Sequence, residues 1–157
     1  MKSKTIAGFN ITCVGDNRAY SYLPSRNGNT ISDLIAKHVL KWIDKNFIQY
    51  SWLDRGSDER QYCASGIDLP IASILRTKYG EYPEYHTSAE DLSLVTEEGL
   101  MVSINVMKSI IDAFEIGLYP YSKIPCEPHL GKRKLYPNLS TKSSPIEKEI
   151  RRRTDIL

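Results

Sequence analysis

RGSDERQYCASGIDLPIASILRTKYGEYPEYHTSAEDL, residues 55–92, places one buried-strand pattern between two polar loops. The run Asp54-Arg55-Gly56-Ser57-Asp58-Glu59-Arg60 has too many charges for a core element. Gly66-Ile67-Asp68-Leu69-Pro70 then punctuates the chain and leads into IASILRT, Ile71–Thr77, whose continuous apolar character predicts a strand covered on both faces. A charged, tyrosine-rich loop follows from Lys78 to Asp91. Loops at strand ends are where α/β folds place their sites. Here Tyr85-His86-Thr87 precedes Glu90 and Asp91. A histidine flanked by carboxylates could bind a metal with its other ring nitrogen held by an acceptor, or could be a surface histidine in a turn. The spacing leaves both open.

Outward from this stretch, the elements alternate. Residues 5–14, TIAGFNITCV, are apolar and β-branched and end at Gly15-Asp16, which predicts a buried strand. YSYLPSRNGN, with Pro24 and Asn27-Gly28-Asn29, is expected to be a loop. Thr30 and Asp33 form a capping-box pattern. Ile31, Leu34, Ile35, Val39 and Trp42 then give one apolar stripe of a helix, with His38 on the stripe as a core or boundary residue. Gln49–Leu53 is a short strand candidate. A second helix is expected from Thr96, its cap, to Phe114, with Leu100, Ile104, Met107, Ile111 and Phe114 on one face. Glu97 and Glu98 suit the positive end of its dipole. Residues 119–144 hold four of the eight prolines and are expected to be an irregular linker. Ser144-Pro145 would then open a final helix.

Strand, helix, strand, strand, helix is α/β patterning, with fewer strands than a sheet of four to six. Net charge is +2, from 21 basic and 19 acidic residues, and the one tight basic run is Arg151-Arg152-Arg153. That balance argues against nucleic acid as a partner. Cys13, Cys63 and Cys126 show no CxxC spacing, which excludes a zinc ribbon and gives no disulfide framework. No signal-peptide pattern or apolar run of membrane-spanning length is present, so the expected location is cytoplasmic, without a membrane partner.

The order Gly56-Ser57-Asp58-Glu59, Gly66-Ile67-Asp68-Leu69-Pro70, strand, Tyr85-His86-Thr87-Ser88-Ala89-Glu90 resembles the C-terminal half of the zinc aminopeptidases and glutaminyl cyclases. Those enzymes show G-S-D-H, G-(I/V)-P, a strand, and Y-H-T-x-x-D. The sequence is most similar to a bacterial aminopeptidase-like family associated with polysaccharide biosynthesis, again at CEPHLGKRKLYPNLS, residues 126–140. The resemblance implies a partial three-layer α/β/α zinc-exopeptidase sandwich with a mostly parallel sheet. It implies an aminopeptidase-like domain over residues 1–118, the linker over 119–144 and the start of a winged-helix module over 145–157.

By the same resemblance His86 is a zinc ligand, and Asp58, Glu59, Tyr85, Glu90 and Asp91 line or support the pocket. Arg60 and Tyr62 are candidate substrate contacts, with Arg55 and Lys78 as further polar loop residues. Glu59 stands where the superfamily has histidine, Glu90 where it has aspartate, and Thr12 where it has a ligand aspartate. A hydroxyl is a poor zinc ligand, and Asp16 lies roughly 13 Å further along an extended chain. The family's other histidine ligand and catalytic glutamate have no counterpart before Thr5. The chain is therefore expected to be truncated at both ends and inactive alone, with an N-terminal half as partner. The implied activity is zinc-dependent hydrolysis of an amino-terminal peptide or amide bond. The alternatives are a non-catalytic binding module on the same scaffold and a gene remnant without independent function.

Overall fold

Ile71–Leu75 forms the strand on which the sheet is assembled; Ala72 to Leu75 are all buried. In the computed structural model, residues 2–117 together with Lys123, Pro125 and Lys132 are described. Two compact units divide the chain, residues 1–118 and 119–157, and the sheet belongs to the first. Those three residues apart, the expected linker, the 126–140 segment, Arg151–Arg153 and the helix from Pro145 lie outside the described residues.

The elements of the first unit are β1 (Gly8–Ile11), β2 (Ser21–Leu23), α1 (Ile31–Ile43), β3 (Ile48–Gln49), α2 (Glu59–Tyr62), β4 (Ile71–Leu75) and α3 (Glu97–Ile116). Short 3₁₀ turns occupy Lys2–Lys4 and Trp52–Asp54. The strands lie in the order β1-β4-β2-β3. β1 pairs parallel with β4 and β2 parallel with β3, whereas β2 and β4 are antiparallel. The fold is α/β with a mostly parallel sheet. α1 is the crossover that a parallel β2–β3 pair requires.

Period-two alternation sorts the strand residues onto two faces. Tyr22, Ala72 and Ile74 meet Ile35, Val39 and Leu40 of α1 and Val106 and Ile110 of α3 in the main core. Leu23 and Leu75 face the other way and pack with Tyr79. That second face carries the single-turn α2 and loops, not a layer of long helices. α3 comes close because Gly99 lacks a side chain: a Cβ there would lie 2.0 Å from the Gly15 carbonyl oxygen.

Several expectations are corrected. The first strand is Gly8–Ile11, shorter than residues 5–14, because Cys13 turns into the left-handed region at φ 50°. Within the expected loop at 20–29, Ser21–Leu23 is a fully buried strand. The Gln49–Leu53 strand stops at Gln49, because Ser51 caps a 3₁₀ turn and Asp54 accepts its amide. The chain 59–62 coils into α2. On α1 the packed side is Ser32, Ile35, Ala36, Val39 and Leu40, while Trp42 is 67% exposed and His38 sits outside against its ring edge. On α3 the buried stripe is Gly99, Ser103, Val106 and Ile110, one position behind the expected stripe. Leu100, Ile104 and Ile111 are left exposed. In both helices small and hydroxyl residues win the closest approach to the sheet, which hydropathy alone does not rank.

Asp33 ties this unit together locally. Its fully buried carboxylate accepts from Tyr22 Oη (2.6 Å), Ser25 N (2.8 Å), Ser25 Oγ (2.6 Å), Thr30 N (2.8 Å) and Thr30 Oγ1 (2.7 Å). Burial pushes its pKa up, but the bonds from Ser25, Tyr22 and Thr30 outweigh that and leave it lowered. Asp33→Ala orphans several buried donors and should cost about 3 kcal/mol in urea unfolding. A loss under about 1 kcal/mol would mean that these bonds add little beyond what water supplies.

Candidate functional site

The parallel strands β1 and β4 deliver their following loops to the same end of the sheet. Asp16 fixes that end. Its carboxylate accepts from Thr77 N (2.9 Å), Thr77 Oγ1 (2.7 Å) and Arg18 N (2.8 Å). Its carbonyl accepts from Arg76 Nε (2.8 Å), and the Arg76 guanidinium lies 3.8 Å over the Tyr20 ring. Asp16 is thus committed to holding the two loops together.

Glu59, at the start of α2, is fully buried against the sheet. One carboxylate oxygen accepts from Tyr79 Oη (2.6 Å) and from the amides of Gly56 and Ser57 (both 2.9 Å). The other accepts from Asn10 Nδ2 (2.8 Å) and Ser73 Oγ (3.4 Å), residues that are register partners on β1 and β4. Burial raises the Glu59 pKa, and the bonds from Tyr79, Ser57 and Gly56 override it, so the group titrates below its ordinary value. Burial and the same bond push the Tyr79 phenol up.

Tyr79 carries the constellation towards His86. Its ring is tilted against Tyr85 at 6.4 Å, and Tyr85 stacks on the His86 imidazole at 4.0 Å and 18°. His86 is exposed and has φ 57°, the left-handed region that a bulky residue rarely occupies. Glu90 holds it there. One oxygen accepts from the His86 amide (3.1 Å), the other from the phenol of buried Tyr82 (2.6 Å). The bond from Tyr82, followed by that from His86, lowers the Glu90 pKa. Tyr82 Oη also reaches Cys13 Sγ at 3.8 Å, which links this loop to the residue after Thr12. A cleft of about 220 Å³ opens beside it, lined by Cys13, Val14, Asp16, Tyr82, Glu90 and Leu100 among others.

The structure therefore groups Glu59, Tyr85, His86 and Glu90 through a train of rings and hydrogen bonds. Asp58 is exposed and makes no side-chain cap bond. Asp91 is exposed and turned to Ser93 N and Oγ (2.8 and 2.6 Å). Arg60 lines a separate cleft beside α2; Tyr62 is 45% exposed and does not line it. Lys78 is buried, with Nζ on the Tyr79 carbonyl (3.2 Å) and over the rings of Tyr79 and Tyr50. Sequence reasoning missed Tyr79 and Tyr82 as the residues that orient the two carboxylates. The tyrosine density of 79–85 was the available signal.

Catalytic zinc takes about three protein ligands plus water. Among the described residues no three His, Cys, Asp or Glu side chains are gathered to hold a metal ion. Glu59 is saturated by its own chain's donors, and Thr12 offers a hydroxyl that lies 3.8 Å from Cys13 Sγ. The described residues alone do not fit a zinc ion.

Residues 1–117 match the family described as a domain of unknown function, DUF4910. The chain belongs to that family. It is 35% identical over 130 residues to a Clostridium acetobutylicum protein provisionally named as a polysaccharide biosynthesis protein with an aminopeptidase-like domain. That match covers 82% of this chain and 30% of the relative. A crystal structure of a provisionally named peptidase from Clostridium acetobutylicum matches with a TM-score of 0.74 and 33% identity. It covers 84% of this chain and 31% of that one. The DUF4910 chain thus has an aminopeptidase-like scaffold and spans just under a third of the length of these relatives. No helix among its described residues is long and apolar enough to cross a membrane.

Glu59→Gln places an amide NH₂ among donors and should cost about 2–3 kcal/mol. Because the folded pKa of Glu59 is depressed, its contribution is full above the ordinary value of 4.5 and disappears as pH falls through the folded pKa. The acid limb of stability in the wild-type chain should therefore be steeper than in Glu59→Gln. Urea midpoints between about pH 3 and 6 measure this; parallel curves would show that the carboxylate is not held ionised by the fold.

Proposed function

We propose that this chain forms one wall of an aminopeptidase-like site that hydrolyses an amino-terminal peptide or amide bond, with His86 as its zinc ligand. The observation that carries the reading is the presentation of His86. Its backbone is forced into the left-handed region, clamped by Glu90 and packed on Tyr85, which leaves the imidazole exposed at the end of the parallel strands. Strain of this kind costs about 1–3 kcal/mol and persists where surroundings over-determine it, often at functional sites. The peptidase names of the relatives support the same reaction class.

In this reading the remaining ligands and the general base come from polypeptide beyond the described residues. That polypeptide would also cover Leu100, Ile104 and Ile111 and the free edge of β1. Bound zinc would polarise the scissile carbonyl and acidify water. The residues of this chain would fix the imidazole's position, and Arg60, in its separate cleft beside α2, would contact a charged part of the substrate. The second reading, a binding module without catalysis, is favoured by one feature. Glu59, at the position of a superfamily histidine, is spent entirely on internal hydrogen bonds.

Zinc titration of this chain assembled with the rest of such a domain, followed in imidazole ¹H–¹⁵N spectra of the labelled chain, tests the ligand. His86 should shift, and His86→Ala should weaken binding about tenfold or more. Perturbation of His38 without His86 would sink the assignment. The chain alone should not turn over aminoacyl anilides. Turnover after assembly with the rest of such a domain, lost in His86→Ala, supports the hydrolase. Peptide binding without turnover supports the second reading.

A further inference from the structure

Beside α2 lies a cleft of about 330 Å³ whose lining includes Arg26, Arg55, Arg60, Trp52, Gln61 and Ser65. No Asp or Glu is among its lining residues, and three of them are arginines. Two of them are held in place. Arg26 Nη1 sits 2.6 Å from Asp68 Oδ1, and Asp68 is itself fixed by a left-handed backbone at φ 48° and a bond from the Gly66 amide to Oδ2 (3.2 Å). Arg55 lies over the Trp52 ring at 4.9 Å and donates Nη1 to the Trp52 carbonyl (3.3 Å). The third, Arg60, has an exposed side chain with no hydrogen-bond or ion-pair partner among the described residues. Cys63 at the floor is buried, donates Sγ to the Leu69 and Ile71 carbonyls (both 3.3 Å), and has its pKa raised by that burial, so it brings no opposing thiolate.

We propose that this cleft binds an oxyanion, the phosphate or carboxylate group of a small molecule. Each guanidinium carries five donors in a planar fork that matches a carboxylate or phosphate edge. Arg26 and Arg55 spend one Nη each on their anchors and keep further N–H groups for a ligand. Arg60 contributes a whole unneutralised fork. Trp52 adds an apolar wall for whatever carries the anion, and the volume falls at the small end of ligand pockets, about 300–1,000 Å³. Like charges on one cleft repel, and a bound anion reduces that repulsion. The proposal deepens the part of the preceding reading that makes Arg60 a substrate contact. Its test reads neither zinc nor turnover, so either can fail alone.

The test is titration of the full-length ¹⁵N-labelled chain with inorganic phosphate and, separately, succinate, at constant ionic strength. Saturable shifts are expected at the Trp52 indole N–H and at the amides of Arg60 and Gln61. Arg60→Gln should weaken binding about tenfold, the scale of one charge-assisted hydrogen bond, and Arg60→Lys should restore part of it. Binding of phosphate but not succinate assigns the cleft to phosphate groups; the reverse assigns it to carboxylates. Linear shifts spread over all surface cations, or saturable binding unchanged in both Arg60→Gln and Arg55→Gln, would overturn the proposal.

Discussion

A single ionised carboxylate, that of Glu59, joins the sheet to the loops that carry its chemistry. Five donors converge on it: two from strand residues Asn10 and Ser73, two from the Gly56-Ser57 backbone and one from Tyr79. A buried charge without such partners costs several kcal/mol. Here the partners come from β1, β4, the segment before α2 and the loop after β4. Each can satisfy the charge only if all four are in register, so the group acts as a check on the assembly. It also explains why the second face of the sheet tolerates Asn10 and Ser73 where an apolar layer would be expected.

Tyr79, Tyr82 and Tyr85 turn that buried charge into a shaped loop. Tyr79 belongs to Glu59, Tyr82 to Glu90, and Tyr85 lies between them, 6.4 Å from Tyr79 and 5.5 Å from Tyr82. Phenols suit this task because a rigid ring fills the space while the hydroxyl reaches a carboxylate. Arg18 closes the far side with two bonds to Glu84, 2.8 and 3.0 Å, which draw the Glu84 pKa down to about 2. The loop from Lys78 to Asp91 is thus ordered by side chains with almost no secondary structure of its own.

How much of this can be read from residues depends on the range of the interaction. β4, α1 and α3 are legible because their apolar periods and caps are local; Thr30 and Thr96 both cap as their positions imply. β2 is not, since three residues ending beside Pro24 carry no pattern, and only pairing with β4 makes them a strand. Which helix stripe packs is set by the closeness that Gly99 and Ser103 permit, not by the larger side chains next to them. His86 and Glu90 stand out through their motif. The burial of Glu59 does not, because its neighbours in sequence are charged and its three side-chain donors, Ser73, Tyr79 and Asn10, lie 14, 20 and 49 residues away.

Among the described residues three non-glycine positions adopt left-handed backbones: Cys13 just after β1, Asp68 just before β4, and His86 in the loop that follows β4. Each takes part in a hydrogen bond that ties its segment to a neighbour. The Cys13 carbonyl accepts the Arg76 amide (2.9 Å), carrying the β1–β4 connection past the last strand pair. Asp68 receives the Gly66 amide while holding Arg26, and His86 gives its amide to Glu90. Such conformations cost about 1–3 kcal/mol apiece and persist only where the surroundings over-determine them. Two of the three bear directly on the candidate sites: His86 is the presented imidazole, and Asp68 aims an arginine into the cleft. The strained positions thus lie just before β4 and in the loop that follows it, the strand that pairs with both β1 and β2.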